Sequence, residues 1–326
     1  MAEVLISLSV LLQAGCFGYL SGRLTPSGSL LLSCAGFALS ALVFNGLRLV
    51  RRGRASGARA NPADRRRVRR LLWLMNAVTA LTFLSFYVAL AWIPATLASG
   101  VETAIGPLAL AVLAVVLGVG DRPTPRAWGW AVALAAVGGA LAWRLTGGDG
   151  VGRSAVAGLA LVAVAGAGAS GLALVSKALG ELGADPVTVT AHRFHLTYLG
   201  AGALFLVQGA SPHDSGVALA LLPPVGAAAV TVPLFVLQVG LQRARPMVAM
   251  TILTTLPGLT YLSEALWGGG VDAAGLALTA LLVLLAVVSA AAGRPRAQHA
   301  ARPPKPTDTT LFPASVASSV GSKDDS

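Results

Sequence analysis

Charge is scarce in this chain: only 11% of its 326 residues are Asp, Glu, Lys or Arg, while 55% are hydrophobic and mean hydropathy is +0.75. A soluble domain carries roughly 25% charged residues, so this balance excludes a surface covered by water. Acidic residues are scarcest, 13 against 24 basic, for a formal net charge of +11. Cysteine is almost absent. Cys16 and Cys34 both fall in apolar stretches, which excludes a disulfide framework and leaves them as small buried hydrophobes. Of four histidines, His192 and His195 stand at i and i+3 with no third ligand, a poor metal site, and read as core or access-path residues. No GxxxxGK[ST] phosphate loop occurs, which excludes an ATP-driven pump of that kind. No catalytic set, metal or cofactor is expected.

Long apolar runs take the place of what is missing. Between Pro, Gly and charge clusters they cover 3–20, 28–49, 71–92, 94–118, 126–145, 154–178, 186–208, 217–241, 246–267 and 271–292. Each is about the length needed to cross a ~30 Å hydrocarbon layer. The expectation is an all-α membrane protein of ten transmembrane helices. Pro94, Pro186 and Pro246 stand in first turns, where a missing N–H costs nothing, and Asp185 is placed to cap the seventh run. The start is read as a retained first helix, because it has no basic n-region and Gln13 interrupts LLQAGC where a lipoprotein signal is aliphatic.

The basic charge is concentrated. Ten arginines lie between Arg48 and Arg70, flanked by apolar runs and with no aromatic residue among them before Trp73. That is a cytoplasmic anchor loop, 48–70, facing anionic lipid, and not a nucleic-acid patch. With the N-terminus inside, Arg122, Arg126, Lys177, Arg243 and Arg245 fall on the same side, as do the basic residues of the tail. Arg23, Arg144 and Arg153 fall outside, and Arg193 lies within a run. Both termini are therefore expected in the cytoplasm. Trp73, Trp92, Trp128, Trp130, Trp143 and Trp267 all sit near run ends, at headgroup level. From Arg294 the chain turns rich in Pro, Ser, Thr and Asp without periodicity, which reads as a disordered tail, 294–326.

A shift of 152 residues pairs Thr79 with Thr231, Phe83 with Phe235, Pro94 with Pro246, Thr103 with Thr255, Gly106 with Gly258 and Leu110 with Leu262. On the fourth run Ser99, Glu102, Thr103 and Gly106 share one helical face, and Thr251, Thr254, Thr255 and Gly258 repeat that spacing on the ninth. The third presents Thr79, Phe83, Phe86 and Tyr87; the eighth presents Thr231, Phe235, Gln238 and Gln242. Five runs per half reverse orientation between halves, so 1–146 and 154–293 read as inverted repeats with a site between them near the midplane. Ordinary interhelical packing accounts for any one of these Thr or Ser residues equally well.

The stretch FYVALAWIPATLASGVETAIGPLALA, 86–111, resembles the first half of drug/metabolite transporters of the EamA type, and most of all their threonine/homoserine-exporter branch. GLALVAVAGAGASGLALVSKALG, 158–180, is similar to that branch's opening of the second half, and TVPLFVLQVGLQRA, 231–244, to its eighth helix. The resemblance covers roughly 70–265. It implies a ten-helix exporter of the bacterial inner membrane. The second half departs from the pattern: Leu256, not Glu, precedes Pro257, and Trp267-Gly268-Gly269-Gly270 stands where an acidic residue commonly closes the ninth helix. In the first half, Asp121 holds the corresponding place.

Ionisable residues inside a bilayer cost at least ~2.5–3.5 kcal/mol each, so each needs a reason. Glu102 shares its face with Ser99 and Thr103 and stands beside Gly106-Pro107. It suits a ligand amine or a proton, or a pairing within the bundle. Arg193 either anchors the seventh run or meets a carboxylate; Glu264 reads as a solvated residue near the outer end of the ninth. The expected function is secondary-active export of small polar metabolites, amino acids or related zwitterions, with Glu102 at the amine and Arg193 or Thr hydroxyls at the carboxylate. Efflux of a larger amphipathic metabolite or drug fits the aromatic residues Phe83, Phe86, Tyr87, Phe235 and Tyr261. A membrane assembly or regulatory protein that moves nothing would use the small-residue run 166–171 for packing. The partners implied are a small-molecule substrate and membrane lipids, with a homodimer left open.

Overall fold

The structure, a computed structural model, describes residues 1–20, 25–52, 62–89, 92–93, 95–118, 122–145, 153–209, 221–268 and 272–292. The expected tail, Pro94, Asp121, Arg23 and the middle of the basic segment, 53–61, lie outside the described residues. Every regular element described is helical, with no strand among the described residues. The helices are α1 Ala2–Leu20, α2 Pro26–Arg52, α3 Pro62–Ala89, α4 Ala95–Leu117, α5 Pro125–Leu145, α6 Arg153–Glu181, α7 Pro186–Arg193, α8 His195–Val207, α9 Leu222–Gly226, α10 Val232–Arg243, α11 Pro246–Leu253, α12 Leu256–Leu266 and α13 Ala273–Ala292. A π-helical turn, Ala227–Thr231, joins α9 to α10.

Among the described residues, six stretches are long and apolar enough to cross a membrane, lying in α1, α2, α3, α4, α6 and the continuous run Leu222–Arg243. Side-chain distribution agrees with a lipid solvent. Large apolar groups such as Val116 (73% exposed) and Leu266 (86%) point outward, while Ser, Thr, Gln and even an Arg are buried. This is a multi-pass helical membrane fold. Within it α6 packs against α3 and α4, α1 against α10 and α12, α4 against α5, α13 against α5, and α2 against α7 and α8. Small residues permit the closest approaches: a Cβ on Gly180 of α6 would stand 2.5 Å from the Gln242 carbonyl oxygen of α10.

Helix boundaries differ from the sequence expectation where backbone chemistry outweighs hydropathy. α3 begins at Pro62, nine residues before the expected 71, so Arg65, Arg66, Arg67, Arg69 and Arg70 are helical and not loop residues. Pro62 supplies the preset φ of a first helical position and Asp64 favours the positive helix end. At 28 residues α3 is about 42 Å long, more than the hydrocarbon thickness, so its arginine turns can project beyond the apolar layer.

The seventh, eighth and ninth runs, expected as unbroken helices, are interrupted. α7 stops at Arg193 and α8 restarts at His195, with Phe194 between them at φ −108°, ψ 1°. Asn76 Oδ1 of α3 accepts from the freed Leu196 N–H at 3.0 Å, which satisfies the break from outside. In the eighth run Pro233 has no N–H to offer the Ala229 carbonyl, and the ladder widens to i→i+5, with Val232 N–H donating to the Ala227 carbonyl. The ninth parts at Thr254 and Thr255, just before Pro257.

Candidate functional site

Two charged side chains occupy the interior, and their surroundings differ. Glu102 stands in the second turn of α4, inside the apolar stretch Ala98–Leu117. It is ringed by protein yet keeps partial solvent access, as do Phe83 and Tyr87 of α3. Tyr87 lies within electrostatic reach of Glu102 and turns its hydroxyl to Ser33 of α2. No ion pair reaches Glu102 among the described residues.

The backbone around Glu102 is held closely. A Cβ on Gly166 of α6 would stand 2.7 Å from the Glu102 carbonyl oxygen, so only glycine lets α6 approach here. One turn on, Ser170 Oγ donates to the Gly106 carbonyl at 2.7 Å, beside Pro107, which itself removes one rung of the helical ladder. The Glu102 and Gly106 carbonyls are thus both backed by α6, which holds this stretch of α4 in place.

Arg193 is sealed, at 2% exposure. Its Nε donates to Thr79 Oγ1 at 3.1 Å and its Nη1 to Gln238 Oε1 at 3.0 Å. Ser176 Oγ also donates to that Oε1, at 3.3 Å. Four helices, α3, α6, α7 and α10, thus meet at one guanidinium. The break at Phe194 leaves Arg193 in the last turn of α7, where a cation suits the negative end of the helix dipole. The Phe194 ring lies 5.4 Å from the guanidinium carbon. Phe37 links that ring to Phe83, with centroids 5.1 and 4.8 Å apart. No carboxylate pairs with Arg193 among the described residues, Glu102 included.

The sequence-derived site residues divide into three groups. Arg193, Thr79 and Gln238 are directly bonded, while Glu102 and Tyr87 interact electrostatically and Phe83 reaches the Arg193 cluster through Phe37. The third group is engaged elsewhere. Thr231 bonds Ser40 of α2 at 2.8 Å and Phe235 stacks on Phe44 at 4.7 Å. Thr103 Oγ1 donates to the Ser99 carbonyl at 2.7 Å, Thr254 Oγ1 to the Thr251 carbonyl at 2.6 Å, and Thr255 Oγ1 to the Ile252 carbonyl at 2.7 Å. Those hydroxyl protons go to carbonyls three or four residues back in the same run. His192 bonds the Thr188 carbonyl and Arg48 Nη1, both at 2.9 Å, near the end where Arg51 meets Asp185 at 3.8 Å. No cluster of three metal-ligating side chains occurs among the described residues. Phe37, Ser176, Ser33 and Asn76 belong to these networks without any sequence signal, being ordinary apolar or small polar residues of their helices.

Compared with known proteins, the chain matches no protein-family profile and no curated protein. It is similar to a protein of known crystal structure with a TM-score of 0.66 at 17% identity, over 92% of this chain and 98% of that one. At that identity the likeness is one of fold.

Proposed function

We propose that this chain is a secondary-active exporter of small polar metabolites, amino acids or related zwitterions, across the bacterial cytoplasmic membrane. In this reading it has ten spans in two inverted five-helix repeats, as the resemblance to EamA-type drug/metabolite transporters implies. Helices α7 with α8, α9 with α10, and α11 with α12 each make one broken span. Packing supports the repeat: α3 and α4 lie on α6 as α10 and α12 lie on α1, and α2 meets α7 and α8 as α5 meets α13, across the halves. Broken spans are where transporters of this kind build sites, since unwound backbone is tolerated only in the protein interior.

The observation that carries the reading is Glu102, an acid inside an apolar stretch, half-buried beside Tyr87 and without a cation partner among the described residues. A carboxylate so placed takes up a proton or an amine, which is what coupling or binding requires. The aromatic chain Phe37, Phe83 and Phe194 favours the second reading, efflux of a larger amphipathic compound. Counterflow in proteoliposomes separates these readings. Vesicles loaded with an unlabelled compound should accumulate its labelled form for amino acids, and not for amphipathic aromatic amines. Accumulation of the amines alone favours the second reading, and no accumulation of any compound returns the chain to an assembly or regulatory role.

A further inference from the structure

The hydrogen-bond inventory around Arg193 does not close. Its guanidinium is a fixed cation with five N–H donors, and its two bonds go to neutral acceptors, Thr79 Oγ1 and Gln238 Oε1. Gln238 is fully buried, and its Nε2 has no partner among the described residues. Reversing the amide does not help. Oε1 already receives both Arg193 Nη1 and Ser176 Oγ, so the opposite assignment would aim an NH2 group at a cation. The cluster therefore holds one unpartnered donor, Gln238 Nε2, one full positive charge and no anion among the described residues. Interiors rarely leave a polar group in that condition without a functional cause.

We propose that the Arg193 guanidinium and Gln238 Nε2 form a carboxylate subsite, closed in this state and uncovered when the α7–α8 span bends at Phe194. A carboxylate brings the two missing things, negative charge and two oxygens able to accept from a guanidinium and an amide together. Phe194 is the place for such a movement. The helix is already parted there, and the Leu196 N–H is held by a side chain of α3 and not by its own helix. Neighbouring groups restrict the ligand to a compact one, since Thr79, Ser176, Phe37 and Phe194 are all buried against the cluster. The inference rests on the transporter reading and deepens it: substrates are small molecules selected by a carboxylate, with Glu102 meeting the amine.

Gln238→Glu tests it. The variant keeps an oxygen facing Arg193 and Ser176 but replaces the NH2 with a built-in anion, so Arg193 is neutralised whether or not substrate is present. Wild-type protein in proteoliposomes should exchange a mixture of labelled L-amino acids at least about tenfold faster than the matching amino-acid amides, a factor of ten corresponding to the loss of one strong polar contact. Gln238→Glu should lose that exchange while its melting temperature in detergent holds or rises. Unchanged exchange by a stable Gln238→Glu protein overturns the subsite, as does equal wild-type exchange of amides and acids. A Gln238→Glu protein that fails to fold is replaced by Gln238→Met, which removes the unpaired donor and should narrow the acid-over-amide preference. An unchanged preference overturns the proposal. If wild-type protein exchanges neither acids nor amides, the amino-acid transport reading itself fails.

Discussion

Threonine is a weak marker of function in a membrane interior, because it can satisfy itself. Thr103, Thr254 and Thr255 stand on the polar faces that the sequence displays, yet each donates its proton to a backbone carbonyl three or four residues back. Arginine, glutamine and glutamate cannot do this so cheaply, and those types mark the two interior centres, Arg193 with Gln238, and Glu102. Glycine matters here through what it admits. At Gly166 a methyl group would stand 2.7 Å from the Glu102 carbonyl oxygen, a backbone atom that cannot rotate away. Gly166→Ala is expected to cost about 1–3 kcal/mol through overpacking, seen as a lowered melting temperature in detergent and a fall in transport per folded molecule. Gly46 has nothing within 4 Å of the same added atom, so Gly46→Ala should leave both readings unchanged. Equal behaviour of the two variants would show that α6 does not set the position of Glu102.

At the scale of helices, proline was legible and tertiary capping was not. Pro186 at the start of α7 and Asp185 before it behave as their residue types dictate, with Asp185 Oδ2 accepting from Thr188 N–H at 3.3 Å. The widened turn before Pro233 and the parting before Pro257 follow from missing N–H groups, and the prolines are visible in the sequence. The break at Phe194 has no Gly or Pro to announce it. It depends on a buried cation that gains from a helix end, and on Asn76, which is 120 residues away in sequence. Asn76→Leu keeps the side-chain size but orphans the Leu196 N–H, at a cost of about 1–3 kcal/mol. Hydrogen exchange at residues 194–198 should then accelerate markedly relative to α13. Unchanged exchange there would mean that Asn76 does not hold the break.

For the molecule as a whole, the membrane class was plain from scarce charge and recurring apolar runs, because a bilayer imposes one length on every crossing helix. The clustering of the arginines is plain in the sequence as well, although part of that segment is helical in α2 and α3 and not loop. What hydropathy could not reveal is which interior polar groups meet. Arg193 with Gln238 joins the seventh and eighth runs at a separation of 45 residues, and with Thr79 joins the third and seventh at 114. Such contacts are set by packing in three dimensions. The two centres also differ in burial, Glu102 being half-buried while Arg193 is sealed.

The central claim is that a titrating carboxylate inside this bundle takes part in the transport cycle. Glu102→Gln preserves size and hydrogen bonding and removes only the titration. Export should be measured for wild type and Glu102→Gln at external pH values from about 5.5 to about 8, at matched membrane levels, a range in which an interior proton-coupled carboxylate governs rate. The account predicts a wild-type rate that changes with pH and a variant, normally inserted, whose rate is reduced and no longer responds to pH. Identical rates and identical pH profiles would contradict it and would leave Glu102 a structural residue.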